Sequence, residues 1–349
     1  FEVFMGWNYF VGAIVGYGIV LFYITFGGFI AVVWSDLIQG SLMFLALCAL
    51  PFIGLFFLNQ ELTFWQRLIH IDPGLVSIWG LGGFNLVNLA TIAGYSCIGL
   101  AFLGSPQIFV RFMAIKNEVE IDKGKWVAIF FTFFSDCAAV FIGIMARYFF
   151  TEAGYDVEET LGNNGQNSLI LVVEFLLPIV FVGLYMAVIL AAIMSTVDSL
   201  LVLASSALVL DIYYKILKPS VSLKRLVSIS RMVTFALASI SLLVALLVAV
   251  STPERTIFWF VLVGFHGIAA CFCPAIILTL FWKDFSEMGA IAAMISGFFG
   301  VLVFKFIMPR LECIGIYFDK IAELAPAMLI GFLSGYLVSK LFPNMPTTK

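Results

Sequence analysis

Nine runs of mostly apolar residues, each about 20 long, follow one another along the chain, and they restrict its fold more than any other feature. They cover residues 7–26, 34–58, 84–103, 126–149, 179–196, 226–250, 257–282, 291–308 and 325–342. A bilayer-crossing helix needs about 17 to 25 such residues. Hydrophobic residues make up 63% of the chain and charged residues 11%, against roughly 25% charged in a soluble domain. No water-soluble core has room for that much apolar surface, so the solvent is lipid. Backbone groups in lipid must be satisfied internally, which leaves helices or closed barrels. Barrel strands alternate over about ten residues, and these runs do not, so the expectation is an all-α, multi-pass membrane protein.

Charge in the connections gives an orientation. Arg111, Lys116, Lys123 and Lys125 follow the third run, and Lys215, Lys218, Lys224 and Arg225 follow the fifth. Glu152, Asp156, Glu158 and Glu159 lie between. Basic loops stay in the cytoplasm, which places Phe1 outside and Lys349 inside. The stretch 169–177 is apolar but too short to cross; Pro178 stops it, and it is expected to lie along the outer surface with Glu174 exposed. Five of the six cysteines, all but Cys313, fall inside apolar runs and read as buried thiols. Cys271 and Cys273 have no second pair or histidine at zinc spacing. There is no basic stripe for nucleic acid, no phosphate loop, and no HExxH. With His70 and His266 the only histidines, no Ser/His/Asp set is available either, so the chain is not read as an enzyme.

Polar residues at membrane depth ask for a reason. Gly27, Gly28 and Phe29 are expected to form a tight cytoplasmic turn, putting Ser35 and Asp36 near a helix start. There they either cap free N–H groups or contribute a carboxylate to a cation path. Ala192, Ser195, Thr196 and Ser199 recur at spacings of three and four and share one helix face. Small residues there suit tight helix packing; hydroxyl and carbonyl oxygens there also suit a hard cation. Gly94, Gly99, Gly104 and Pro106 make a regular helix through 94–106 improbable. That stretch is either a kinked packing helix or one broken to line a cavity. Asp136 and His266 stand singly inside spans, and a lone membrane histidine is expected to bond a backbone carbonyl.

Taken together, these stretches resemble the sodium/solute symporter family, and its sodium/proline branch most. GGFIAVVWSDLIQGSLM from Gly27, LGSPQIFVRFMAIKN from Leu103, AVILAAIMSTVDSLLVLASSALVLDIYY from Ala187 and the seventh run ending in Phe272, Cys273 and Pro274 occur in the family's order. The resemblance implies a leucine-transporter-like fold of inverted repeats, with this chain holding the last nine of about thirteen spans. Residues 1–58 would then close the first repeat, 84–282 form the second, 287–342 add C-terminal helices and 343–349 form a cytoplasmic tail. It implies no organic cofactor and Na⁺ as coupling ion, held by the Ala192 carbonyl and the Ser195 and Thr196 hydroxyls. Asp36 matches a carboxylate linked to sodium passage, and Asp198 falls where some relatives hold a second ion.

The implied partners are the lipid of the cell's inner (plasma) membrane and a small-molecule solute, facing Tyr95, Ile98, Phe102 and Pro106. Proline transporters carry Trp and Tyr where this chain has Ile98 and Phe102, and a small residue where it has His266. A wider, drier pocket leaves proline-like amino acids and related solutes open. Sodium-coupled uptake is the expected function. The alternatives are a transporter-like sensor domain of a signalling protein and an inactive truncated fragment.

Overall fold

The computed structural model describes residues 5–58, 64–80, 83–162, 165–217, 221–251, 257–312 and 314–343, without the side chains of 26–29, 31 and 257–260. Lys218, Cys313 and residues 344–349 of the tail lie outside the described residues. The described elements are helices. In chain order they are α1 Tyr9–Phe56, α2 Phe64–Ile71, α3 Leu86–Ala101, α4 Pro106–Met113, α5 Glu118–Glu152, α6 Val157–Leu161 and α7 Ser168–Leu176. Then come α8 Ile179–Ser206, α9 Leu223–Ser251, α10 Ile257–Phe281, α11 Glu287–Phe306, α12 Gly315–Ile321 and α13 Leu324–Leu341. Eight described helices are long and apolar enough to cross a membrane, and the shorter apolar stretch Tyr9–Thr25 accompanies them. These nine blocks correspond to the nine apolar runs of the sequence.

The expected turn at Gly27–Phe29 is not there: α1 runs as one helix from Tyr9 to Phe56. No proline interrupts 26–34, and two glycines cost only about 1 kcal/mol each relative to alanine. In an apolar medium the helical hydrogen bonds they would forfeit are worth more. Ser35 and Asp36 are therefore mid-helix residues rather than caps, and Ser35 Oγ donates to the Val32 carbonyl at 2.9 Å.

The chain divides into two packed units, Phe1–Phe64 with Asp122–Arg255 and Trp65–Ile121 with Thr256–Lys349. In the first, α1 packs along α8 and α9, with Val20, Ile24, Leu201 and Ala238 at the centre. Tyr185 donates to the Ala46 carbonyl at 2.8 Å, and Phe44 stacks on Phe131 of α5. Helix α7 ends before Pro178 with Glu174 exposed, as expected. Asp136 also faces outward, on α5.

In the second unit α10, α11 and α13 form a bundle around Ala269, Ala270, Val301, Ala327 and Met328. The cysteines are less uniform than the sequence suggested. Cys273 is buried here, with its Sγ 3.3 Å from the Leu100 carbonyl. Cys137, in the first unit, is exposed. Apolar helices in lipid have no need to turn every thiol inward, which is why apolar context alone misjudged it.

Candidate functional site

In the first unit, α8 carries its hydroxyls on one face because the helix is unbroken from Ile179 to Ser206. Ser195 Oγ and Thr196 Oγ1 both donate to the Ala192 carbonyl, at 2.9 and 3.2 Å. A hydroxyl that gives its hydrogen to a carbonyl keeps its lone pairs turned away from that bond. Three oxygens of the kind a hard cation takes thus lie within one helical turn. Among the described residues no group of three His, Cys, Asp or Glu side chains comes together as a site for another metal.

The next turn of α8 carries one carboxylate and binds the other. Asp198 is fully buried, and Tyr23 of α1 donates its phenolic hydrogen to Asp198 Oδ2. Ser199 Oγ donates to Asp36 Oδ2 at 3.1 Å. Asp198 and the Ser199 that holds Asp36 are thus neighbours on one turn of α8, each meeting a residue of α1. Tyr23 carries no sequence signal of its own. It lies in an apolar run where a tyrosine reads as packing, and it meets a partner 175 residues away.

In the second unit the break expected between Gly94 and Pro106 is present. Helix α3 ends at Ala101, Phe102–Gly104 tightens into a 3₁₀ turn, Ser105 is extended, and Pro106 opens α4. Proline at the first helical position fits because that N–H has no intrahelical partner. Tyr95, Ile98 and Phe102 fall at spacings of three and four and share a face of this stretch. Tyr95 and Phe102 are exposed, Ile98 and Pro106 half-buried, and the Phe102 ring rests on Phe265 of α10 at 5.1 Å. Two polar atoms at the break are missing from the sequence reading. Ser105 Oγ and Gln107 Oε1 are buried without a hydrogen-bond partner among the described residues. Such atoms have a use for an outside donor or acceptor.

His266 corrects the sequence reading. Its Nδ1 lies 3.0 Å from Glu323 Oε1, a carboxylate rather than a backbone carbonyl.

The sodium:solute symporter family matches residues 1–297. The chain belongs to that family. Curated symporter-family relatives include the high-affinity proline transporter PutP of Bacillus subtilis, 30% identical over 97% of this chain and 67% of that protein. The osmoregulated proline transporter OpuE of the same organism is 29% identical over 97% and 65%. Sodium/proline symporter 2 of Staphylococcus saprophyticus is 31% identical over 97% and 64%. The chain spans about two thirds of the length of these relatives. A solved structure titled as the substrate-bound outward-open state of a Na⁺-coupled sialic acid symporter has a TM-score of 0.70 and 20% identity. The match covers 99% of this chain and 70% of that one. The likeness shows the fold, so the expected all-helical, leucine-transporter-like class is the right one. As a member of the symporter family the chain is a transporter-type membrane protein, not an enzyme.

Proposed function

We propose that this chain forms the larger part of a sodium-coupled symporter that drives uptake of a small organic solute by alternating access. The observation that carries the reading is the pair of hydroxyls, Ser195 and Thr196, meeting at the Ala192 carbonyl one turn from the buried Asp198. In a symporter-family chain that oxygen set suits Na⁺, and Asp36 and Asp198 supply nearby negative charge for a second ion or its path. Tyr95, Ile98, Phe102 and Pro106 line the solute side, with Ser105 and Gln107 as hydrogen-bonding groups at the break. Proline-like amino acids are the first solutes to try, because the curated relatives are proline transporters. The reading keeps the inverted-repeat division at 58, 84 and 282, the inner (plasma) membrane as location, and the N-terminus of this chain outside.

Coupling follows from both ligands preferring one of two conformations. Each Na⁺ moving inward contributes about 2.3 kcal/mol per 100 mV, enough to concentrate a neutral solute about fifty-fold. The test is uptake into proteoliposomes by the full-length parent, with and without a sodium gradient, over a panel that includes proline. Accumulation of one solute only under the gradient supports the reading. Binding of a solute without accumulation favours a transporter-like sensor instead.

A further inference from the structure

Away from the proposed sodium and solute positions, three ionisable side chains from three elements of the second unit meet in an apolar setting. His266 of α10 is 2% exposed. Its Nδ1 faces Glu323, which precedes α13 and is 4% exposed. The other oxygen of Glu323, Oε2, lies 3.6 Å from Nζ of Lys305, near the end of α11, and the lysine side chain is one-third exposed. A carboxylate beside an ammonium accepts hydrogen bonds, so Nδ1 carries the imidazole hydrogen and Nε2 presents its lone pair. That Nε2 is buried and has no hydrogen-bond partner among the described residues.

We propose that His266 is a proton-binding site, in which Glu323 exchanges its counter-charge between Lys305 and the imidazolium. With His266 neutral, Glu323 balances Lys305 and the buried cluster carries no net charge. When a proton from water binds Nε2, the imidazolium takes over Glu323, and one positive charge is left in excess. Lys305 relieves that excess by swinging its ammonium away from Glu323 on its flexible stem, which its one-third exposure leaves room for. No covalent bond other than the new N–H forms, and the only interaction lost is the Glu323–Lys305 pair.

Among the described residues, titratable groups on the elements around His266 include Arg310 and Tyr317, both exposed. Helix α11 presents Lys305, α13 presents Glu323, and α3 presents Cys97 at the edge of the same core. The turn Phe102–Gly104 presents nothing titratable. Asp319 and Lys320 of α12 are exposed, and Glu287, Tyr336 and Lys340 lie toward the far ends of their helices. The exchange has a route to the solute-facing stretch. Phe265, next to His266, carries the Phe102 ring. A Cβ on Gly94 of α3 would stand 2.5 Å from the carbonyl oxygen of Ile321, two residues before Glu323. Resting on the transport reading, solute affinity then varies with pH.

The proton site is tested without any solute. Of the two histidines in this sequence, His70→Gln removes one, leaving His266 as the remaining ¹³Cε1–H signal in labelled protein held in nanodiscs. The signal is expected to move reversibly over the pH range in which the protein stays folded, as Nε2 takes up and loses a proton. Lys305→Met is expected to enlarge the protonated share at each pH, because Glu323 is left with only the imidazolium to balance it. Glu323→Gln is expected to shrink that share. A His266 signal that stays in place across the range overturns the proposal, as does a titration that neither substitution moves. Should Glu323→Gln fail to fold, Lys305→Met, at a partly exposed position, decides alone. Failure here leaves the symporter reading standing, and failure of uptake leaves this titration standing.

Discussion

In the first unit Gly18, Gly40, Gly143 and Gly183 have nothing within 4 Å of where a Cβ would stand. In the second, a Cβ on Gly297 of α11 would stand 2.0 Å from the Ala270 carbonyl oxygen of α10, and one on Gly289 would meet Ser339 and the Gly335 carbonyl of α13. The α8 span is 11% buried, whereas the α10 and α13 spans are each 39% buried. Gly99, Gly264 and Gly267 of the second unit are open as well, and Gly54 of α1 would meet only the Met145 and Leu176 side chains. The contrast therefore lies in the closest contacts: backbone to backbone where α11 meets α10 and α13, side chain to helix in the first unit. Lipid gives no hydrophobic drive to helix association, so close approach through small residues is what fixes a bundle. Side-chain contacts are easily remade when a helix shifts; backbone contacts are not. The α8 oxygens belong to the unit joined by side chains, and α3 to the unit whose tightest contacts are backbone to backbone.

The sharpest way to break this comparison is Gly297→Ala. Its methyl has only backbone to push, and a loss of about 3 kcal/mol is expected, read as a lower melting temperature of the detergent-solubilised protein. An unchanged melting temperature would remove the distinction between the units. Next in size, Ser195→Ala and Thr196→Ala should each raise the sodium concentration for half-maximal uptake about tenfold, since an oxygen ligand to a cation contributes about 1.5 kcal/mol or more. Melting should change little, and an equal loss of stability would assign these hydroxyls to packing. Tyr23→Phe, which takes the phenol from buried Asp198, should cost about 1 kcal/mol in melting experiments and also weaken sodium dependence. A change in neither would set Tyr23 apart from the ion path. Smallest, and opposite in sign, Gly183→Ala should stabilise α8 by up to about 1 kcal/mol, because alanine favours helix and nothing crowds it. Destabilisation there would mean the first unit is packed as tightly as the second.

Local sequence carried much of this. Apolar length located the spans, and Gly104 with Pro106 located the break after α3, because both signals are local. The hydroxyl face of α8 was legible from spacing for the same reason. The turn at Gly27–Phe29 was misread because glycine pairs punctuate chains in water far more than in lipid. Tyr23 with Asp198 and His266 with Glu323 were illegible for another reason. Their partners lie 175 and 57 residues away, and spacing speaks only for neighbours on one helix.

Beyond Ser206 the chain does not stop coiling but widens, and Ala207–Leu217 forms a π-helix of 11 residues. Its bonds run from residue i to i+5 instead of i to i+4, so each turn holds surplus chain. That surplus is a length reserve. One residue removed from 207–217 can be absorbed by a narrower coil, leaving Ala192, Ser195 and Thr196 upstream in register. The same deletion made upstream of Ala192 would rotate the hydroxyl face relative to α1 and separate Ser199 from Asp36. Tolerance to single-residue deletion should therefore change abruptly where the helix changes its pitch.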